Sequence, residues 1–198
     1  MTRQQRFARF VTDAVVRVPF LWKVFRGSMT RNFDRLAPEW EATRVSRERL
    51  APIEAALDGL PHAPQRALDV GTGSGAVARV LAERWPDADV TGVDVSPGMI
   101  AEARRLGPQR YDVGDASKLP YESGAFDLVT LNNMIPFFDE LARVTAPGGH
   151  LAVSYSMGAG TPIWVPLERV RAELERRRFT HVADFSVGNG LSLLARKA

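Results

Sequence analysis

The chain has no cysteine, which excludes disulfides, thiolate metal sites and a thiol nucleophile. That absence suits a reducing compartment, so a cytoplasmic location is expected. Long apolar runs are missing too: Arg17 and Lys23 interrupt any stretch of the roughly twenty apolar residues that a spanning helix needs. No lysine or arginine lies between Leu68 and Ala78, and no Gly-Lys-Ser/Thr occurs there, so a nucleotide loop of the Walker type is excluded. Low-complexity tracts and internal repeats are lacking as well. What is present is ordinary for a globular protein: 198 residues, 45% hydrophobic and 25% charged. That length suits one fold with a sizeable core.

The net charge of +3 is unevenly spread. Residues 1–31 hold Arg3, Arg6, Arg9, Arg17, Lys23, Arg26 and Arg31 against Asp13 alone, giving +6 there and −3 elsewhere. Phe7, Phe10, Val11, Ala14, Val15 and Val18 follow helical spacing, with Arg6, Arg9, Asp13 and Arg17 on the opposite face, and Pro19 ends or kinks the helix. Three readings fit this arm: a lid with a docked apolar face, a lid that also touches a lipid-like substrate or a membrane surface, and an arginine-rich targeting segment. The last is weakened by scarce serine and the lack of a cleavage site.

Asn32 to Leu60 is mostly helical in spacing, with Pro38 and Pro52 as expected helix starts. Strand and helix signals then alternate: a strand at 66–70, a helix at 76–85, a strand at 89–94, and a helix capped by Ser96 that runs to about Leu106. Strands at 110–113 and 126–131 and a helix at 138–144 follow. Pro147-Gly148-Gly149 is expected to turn the chain into a fifth strand at 150–155. A helix at 166–178 precedes two strands at 180–186 and 191–196, joined by Gly188-Asn189-Gly190. So short a connection makes those two antiparallel. The pattern is that of an α/β fold, with an N-terminal helical arm or lid at 1–65 and a sheet domain at 66–198.

The most telling segment is Ala67-Leu68-Asp69-Val70-Gly71-Thr72-Gly73-Ser74-Gly75, an apolar strand that ends in a glycine loop. About twenty residues on, Val90-Thr91-Gly92-Val93-Asp94 is a second strand ending in a carboxylate able to accept both hydroxyls of a ribose. Gly71-x-Gly73-x-x-Ala76 alone also satisfies a dinucleotide fingerprint, which keeps an NAD-binding oxidoreductase as an alternative. An oxidoreductase would be expected to show a proton donor such as Tyr-x-x-x-Lys, and none is present. Asp69 two residues before the first glycine, the early Gly75, Gly114-Asp115-Ala116 after the third strand and the terminal hairpin favour a different occupant.

With these residues the chain resembles the class I S-adenosylmethionine-dependent methyltransferases of small-molecule type, whose glycine motif reads D-x-G-x-G-x-G. The resemblance covers about Ala67 to Lys197 and implies a Rossmann-like, doubly wound sheet of order 3-2-1-4-5-7-6 with strand 7 antiparallel. It also implies a cofactor, S-adenosyl-L-methionine. Gly71, Gly73 and Gly75, with Thr72 and Ser74 between them, would lie against its methionine part, and Asp69 would hold the ammonium directly or through water. Asp94 would take the ribose hydroxyls and Val95 or Met99 would pack on the adenine. Asp115 would accept from the adenine amino group beside the Ala116 N–H, and Asn132 would place its amide near the amine and the sulfonium. The implied activity is methyl transfer to an O, N or C nucleophile of a small or lipid-like molecule. A non-catalytic module that binds the same ligand is the other alternative.

No catalytic residue is assigned, because His62, His150 and His181 all fall away from the site end of the sheet. Acceptor-pocket candidates are Asn133, Met134, Phe137, Tyr155, Ser156 and Trp164, with Tyr155 or Asn133 orienting the acceptor. Asn132 to Arg143 is compact beside the longer segment usual in the family, so Phe33 and Trp40 are expected to close over the site if the lid folds back. No metal is expected. Nucleic acid is disfavoured as a partner: the body is net acidic, and Asn132-Asn133-Met134-Ile135-Pro136 lacks the Pro-Pro-Tyr ending of a base-methylating motif.

Overall fold

In the computed structural model, which describes residues 3–198, the apolar runs form the seven strands of one sheet. These are β1 (Arg66–Val70), β2 (Asp89–Asp94), β3 (Arg110–Val113), β4 (Phe126–Asn132), β5 (Thr145–Tyr155), β6 (Phe179–Val187) and β7 (Gly190–Lys197). Their order is β3-β2-β1-β4-β5-β7-β6, with β7 antiparallel to both neighbours and β1 to β5 parallel. This is the expected topology. Strands covered on both faces read as continuous apolar runs, and four of the five β1 residues are buried.

Alternation along the strands divides the core into two layers. Leu68, Val70, Val129, Leu131, Leu151 and Val153 face one side with α6 (Phe138–Val144) and α7 (Leu167–Glu175). Ala67, Val90, Leu128, Ala152 and Leu194 face the other, against α3 (Arg47–Asp58), α4 (Ala76–Arg84) and α5 (Pro97–Leu106). Leu68, Leu128 and Leu151 are wholly buried, so truncating any of them to alanine costs about 2–5 kcal/mol.

Three local expectations are corrected. Pro38 and Pro52 do not start helices: Pro38 lies inside α2 (Trp22–Arg44) and Pro52 inside α3. The real start of α3 is Ser46, whose side chain accepts from Arg49 N–H, and the proline ring at 52 is buried against the sheet face near Gly190. Pro147-Gly148-Gly149 does not end a turn before β5. The strand already begins at Thr145, paired with Phe126, and the next pair is Leu128 with His150, so the Pro-Gly-Gly run is a bulge inside the strand.

The third correction is the phase of α1 (Arg3–Arg17). Its inward residues are Val11, Thr12 and Val15, while Phe7, Phe10 and Val18 are exposed. Arg9, expected on the solvated face, donates from Nη2 to Ala159 O at 2.7 Å and Thr161 O at 2.5 Å, and from Nε to Pro162 O at 3.3 Å. Backbone carbonyls of the segment after β5 thus bind the guanidinium and set the rotation of the helix. Within residues 1–65, α3 packs on β5, β6 and β7 as part of the sheet's covering layer, whereas α1 and α2 cross the carboxyl ends of the strands.

Candidate functional site

The carboxyl ends of β1, β2 and β4 open into a cavity of about 580 Å³, roofed by α1 and α2. This is the crevice in which open α/β sheets bind ligands. After β1 the chain bends sharply: Gly71, Gly73 and Gly75 all have positive φ, and the N–H groups of Gly71 and Thr72 both donate to Val93 O at the end of β2. The three glycines serve different neighbours. A Cβ on Gly71 would stand 2.4 Å from Met134 Cγ, and one on Gly75 2.6 Å from the Tyr111 hydroxyl. At Gly73 the nearest neighbour would be Trp40 Nε1 at 3.5 Å, so this glycine is the one that keeps the floor of the cavity bare. Trp40 packs edge-on against Phe33, and both line the cavity, as expected of a folded-back lid.

Two carboxylates border the bend. Asp94 accepts from Gly73 N–H at 3.0 Å and from Ser96 N–H at 2.9 Å, which fixes its side chain at the mouth of β2. Burial raises its pKa against the pull of those N–H groups. Asp69 is buried, accepts from Thr72 Oγ1 at 2.6 Å and Thr130 Oγ1 at 2.9 Å, and is pushed up to about 6 by burial, with the nearby Asp94 charge adding to the rise. Both line the cavity with Thr72, Ser74, Val95, Met99, Ala116 and Asn132. The Asn132 Oδ1 is buried with no hydrogen-bond partner among the described residues, an acceptor without a donor there.

Asp115 is placed differently from the expectation. Its Oδ1 accepts from the Trp22 indole N–H at 2.8 Å and from Ser117 N–H at 2.9 Å, and its Oδ2 from Arg26 at 2.8 Å. Burial alone would raise its pKa, but Arg26, Ser117 and Trp22 hold it below the ordinary carboxylate value. It anchors α2 and is not among the cavity-lining residues, whereas its neighbours Gly114 and Ala116 are.

Among the acceptor candidates, Asn133, Met134, Phe137 and Ser156 line the cavity. The Asn133 amide is already engaged, donating to Ser156 Oγ at 3.0 Å and accepting from Ser156 N–H at 2.8 Å, with its backbone at φ 55°. It splices the ends of β4 and β5, so its role is to shape the wall. Tyr155 and Trp164 do not reach the cavity: Tyr155 is wholly buried in the core and packs edge-on against Trp164 at 4.9 Å. Strand alternation turns Tyr155 away from the side to which its neighbour Ser156 points. His150 pairs with Leu128 and Arg196 at the opposite end of the sheet, and Asp127 accepts from the N–H groups of Gln65 and Arg66. Among the described residues no cluster of three or more acidic or histidine side chains could hold a metal ion.

Two features escaped sequence reading. Ser74 Oγ donates to Glu41 Oε2 at 2.6 Å, while Arg79 donates to Glu41 Oε1 at 2.5 Å and to Ser74 O at 2.7 Å, so α2 and the glycine loop are tied together. Asp34 accepts from Ser96 Oγ at 2.6 Å and Gly98 N–H at 3.0 Å, which docks α2 on the start of α5. The spacing of about sixty residues between Asp34 and Ser96 carries no local signal.

Residues 68–153 match the family described as "Methyltransferase domain". The chain is 41% identical over 119 residues to a demethylmenaquinone methyltransferase of Thermus thermophilus, covering 54% of this chain and 53% of that protein. It is 34% identical over 147 residues to a trans-aconitate 2-methyltransferase of Methylobacterium nodulans, covering 68% of this chain and 57% of that one. The chain thus spans about half the length of the curated relatives it matches. Two solved structures share the fold. A SAM-dependent methyltransferase from Aquifex aeolicus has TM-score 0.65 and 20% identity, over 85% of this chain and 98% of that one. The 1,6-didemethyltoxoflavin-N1-methyltransferase of Burkholderia thailandensis, solved with S-adenosylhomocysteine, has TM-score 0.69 and 17% identity, over 88% and 89%.

Proposed function

We propose that the chain is a class I S-adenosylmethionine-dependent methyltransferase that moves a methyl group from S-adenosylmethionine to an O, N or C nucleophile of a small or lipid-like molecule, a reading supported by the methyltransferase-domain match over residues 68–153. One observation carries the reading: Gly73 with its bare Cα, the Asp94 carboxylate it anchors, and the orphaned Asn132 Oδ1 border one cavity. The residues present fit an amino-acid nucleoside that is cationic and carries no phosphate. Asp69 and Asp94 offer negative charge and acceptors beside the bend, and Asn132 offers an acceptor in need of a donor. The cationic side chains of the lining, Arg44 and Arg49, come from α2 and α3 rather than from the glycine loop.

Gly71 to Gly75 would seat the methionine part and Asp69 and Asn132 the ammonium. Asp94 would hold the ribose hydroxyls, with Val95 and Met99 against the adenine and Ala116 beside it. Bound there, the cofactor supplies a methyl group already activated on a sulfonium. The chain's own share is then to position a nucleophile in line and to exclude water. Phe33, Trp40, Met29 and Phe137 provide a dry roof and wall for that purpose. Most of the remaining lining is apolar, including Met134, Met157 and Ile163, which suits a neutral, lipid-soluble acceptor better than a polyanion.

Calorimetry with S-adenosylhomocysteine tests the site, and consumption of labelled S-adenosylmethionine over a panel of lipophilic and polar acceptors tests the reaction. Saturable heat that weakens in Asp94→Asn, with turnover favouring a lipophilic acceptor, is the expected result. Folded protein that takes up neither donor nor product would overturn the assignment.

A further inference from the structure

Five of the eight exposed large hydrophobic residues of the described chain lie between residues 7 and 24: Phe7, Phe10, Val18, Phe20 and Val24. Phe10 is 61% exposed, Phe20 66% and Val24 68%. The remaining three, Val113, Val182 and Val187, are aliphatic and scattered along β3 and β6. Isolated exposed apolar residues are ordinary, but a contiguous aromatic group marks an interaction surface. The α1 rings are contiguous, since Phe7 and Phe10 each pack edge-on against Phe25, both at 6.3 Å, and the turn that carries Phe20 packs against both α1 and α2.

The outward rotation of these rings is not a loose helix's accident. Arg9 is bound by three backbone carbonyls, and Val11, Thr12 and Val15 are buried. That phase necessarily turns positions 6, 10, 13 and 17 to solvent, so Arg6 and Arg17 share a face with Phe10. Asp13 is the one acid on that face. At the corner between the helices, the Lys23 ammonium sits 4.9 Å over the Phe20 ring, placing a cation beside the most exposed aromatic. Aromatic rings interleaved with exposed arginine and lysine are complementary to a surface that is apolar within and anionic at its boundary. No helix among the described residues is long and apolar enough to cross a membrane, so contact of this kind is peripheral.

We propose that the corner formed by α1, the turn at Pro19–Leu21 and the start of α2 is a docking surface for anionic lipid bilayers. Phe10, Phe20 and Val24 insert at the headgroup boundary, while Arg6, Arg17 and Lys23 meet lipid phosphates. Phe7 belongs both to this surface and to the lining of the cavity, so docking brings the bilayer to the edge of the acceptor space. If the methyl-transfer reading holds, a lipid-soluble acceptor then passes from the bilayer to the cavity beside Phe7. The docking itself does not depend on that reading.

The test is co-sedimentation of the full chain with phosphatidylglycerol-containing vesicles and with pure phosphatidylcholine vesicles, at low and high salt. Wild type is expected to sediment with the anionic vesicles, less so at high salt. The Phe10→Ser/Phe20→Ser and Arg6→Gln/Arg17→Gln variants should each lower the bound fraction about tenfold. All substituted side chains are exposed, and unchanged circular dichroism will show that folding is intact. Failure to bind anionic vesicles, or equal binding by the variants, overturns the proposal. So does concentration-dependent dimerisation that Phe10→Ser/Phe20→Ser abolishes, which would make this face an interface between copies. Sedimentation is read without cofactor and S-adenosylhomocysteine calorimetry without lipid, so failure of one reading is distinguishable from failure of the other.

Discussion

The Trp22 indole N–H donates to the Asp115 carboxylate at 2.8 Å, and Arg26 closes on the other oxygen, so α2 is fastened to the loop after β3. An acid expected to meet a ligand is instead the anchor of a helix. Arg26 is half exposed and its ion pair is screened, so Arg26→Ala should barely move the melting temperature. It should speed tryptic cleavage within α1 and α2 several-fold, as judged by mass spectrometry. Unchanged cleavage would mean that Trp22 and the packing of Met29 hold α2 without it.

Replacing Asp94 by Asn keeps the shape of the side chain and one acceptor for Gly73 N–H or Ser96 N–H, but removes the charge. Hydrogen bonds to a charged group are worth about 1.5–3 kcal/mol, so affinity for S-adenosylhomocysteine should fall about ten- to a hundredfold by calorimetry. A variant that binds as well as wild type would place the ribose elsewhere.

The pKa of Asp69, raised to about 6, makes two pH predictions. In the free protein the buried carboxylate is favourable to folding only when protonated. That contribution is present below about pH 4, the unfolded value, and is lost as pH rises through 6. Asp69→Asn should therefore be more stable than wild type at pH 7.5, by on the order of 2–3 kcal/mol, with the difference shrinking as pH falls from 6 to 4. Paired thermal melts will measure it. The ligand's ammonium group calls for the ionised form of Asp69, so wild-type affinity for S-adenosylhomocysteine should drop about tenfold between pH 7 and pH 5, and Asp69→Asn should flatten that profile.

Two glycines of positive φ separate backbone strain from crowding. A Cβ on Gly188 would meet nothing among the described residues within 4 Å, so Gly188→Ala should cost about 1 kcal/mol, the left-handed penalty alone. Gly75→Ala adds a clash with Tyr111, whose ring is buried, and should cost about 2–4 kcal/mol. Urea titrations of the two variants give the comparison.

The strands were legible because each buried one is a short apolar run bounded by glycine, proline or a carboxylate, and Gly188-Asn189-Gly190 leaves room only for a hairpin; their order in the sheet followed from the resemblance to the methyltransferase family, not from the pattern. Gly73, Asp69, Asp94 and Asn132 could be grouped from the sequence because each lies within a few residues of the carboxyl end of a strand, and those ends share one edge. The phase of α1 was not. Hydrophobic spacing placed Phe7 and Phe10 inward, but three carbonyls near residue 160 hold Arg9, and only tertiary structure brings them together. Likewise, composition gives no hint that Glu41 reaches Ser74 or that Trp22 reaches Asp115. Tyr155 and Trp164 looked like pocket residues because one ends β5 and the other comes soon after it, yet the Tyr155 ring is buried in the core and Trp164 packs against that ring. Pro38 sits on the exposed side of α2, where the contacts on the other side of the helix outweigh one missing backbone hydrogen bond.

The position of β7 has a consequence for how the molecule assembles. It lies between β5 and β6, although β6 precedes it in the chain. β6 can join the sheet only by way of a strand synthesised after it, so it waits as an unpaired ribbon until residues 190–197 are available. Until then the flank beside β5 is a bare edge, the place where an interrupted chain is open to aggregation.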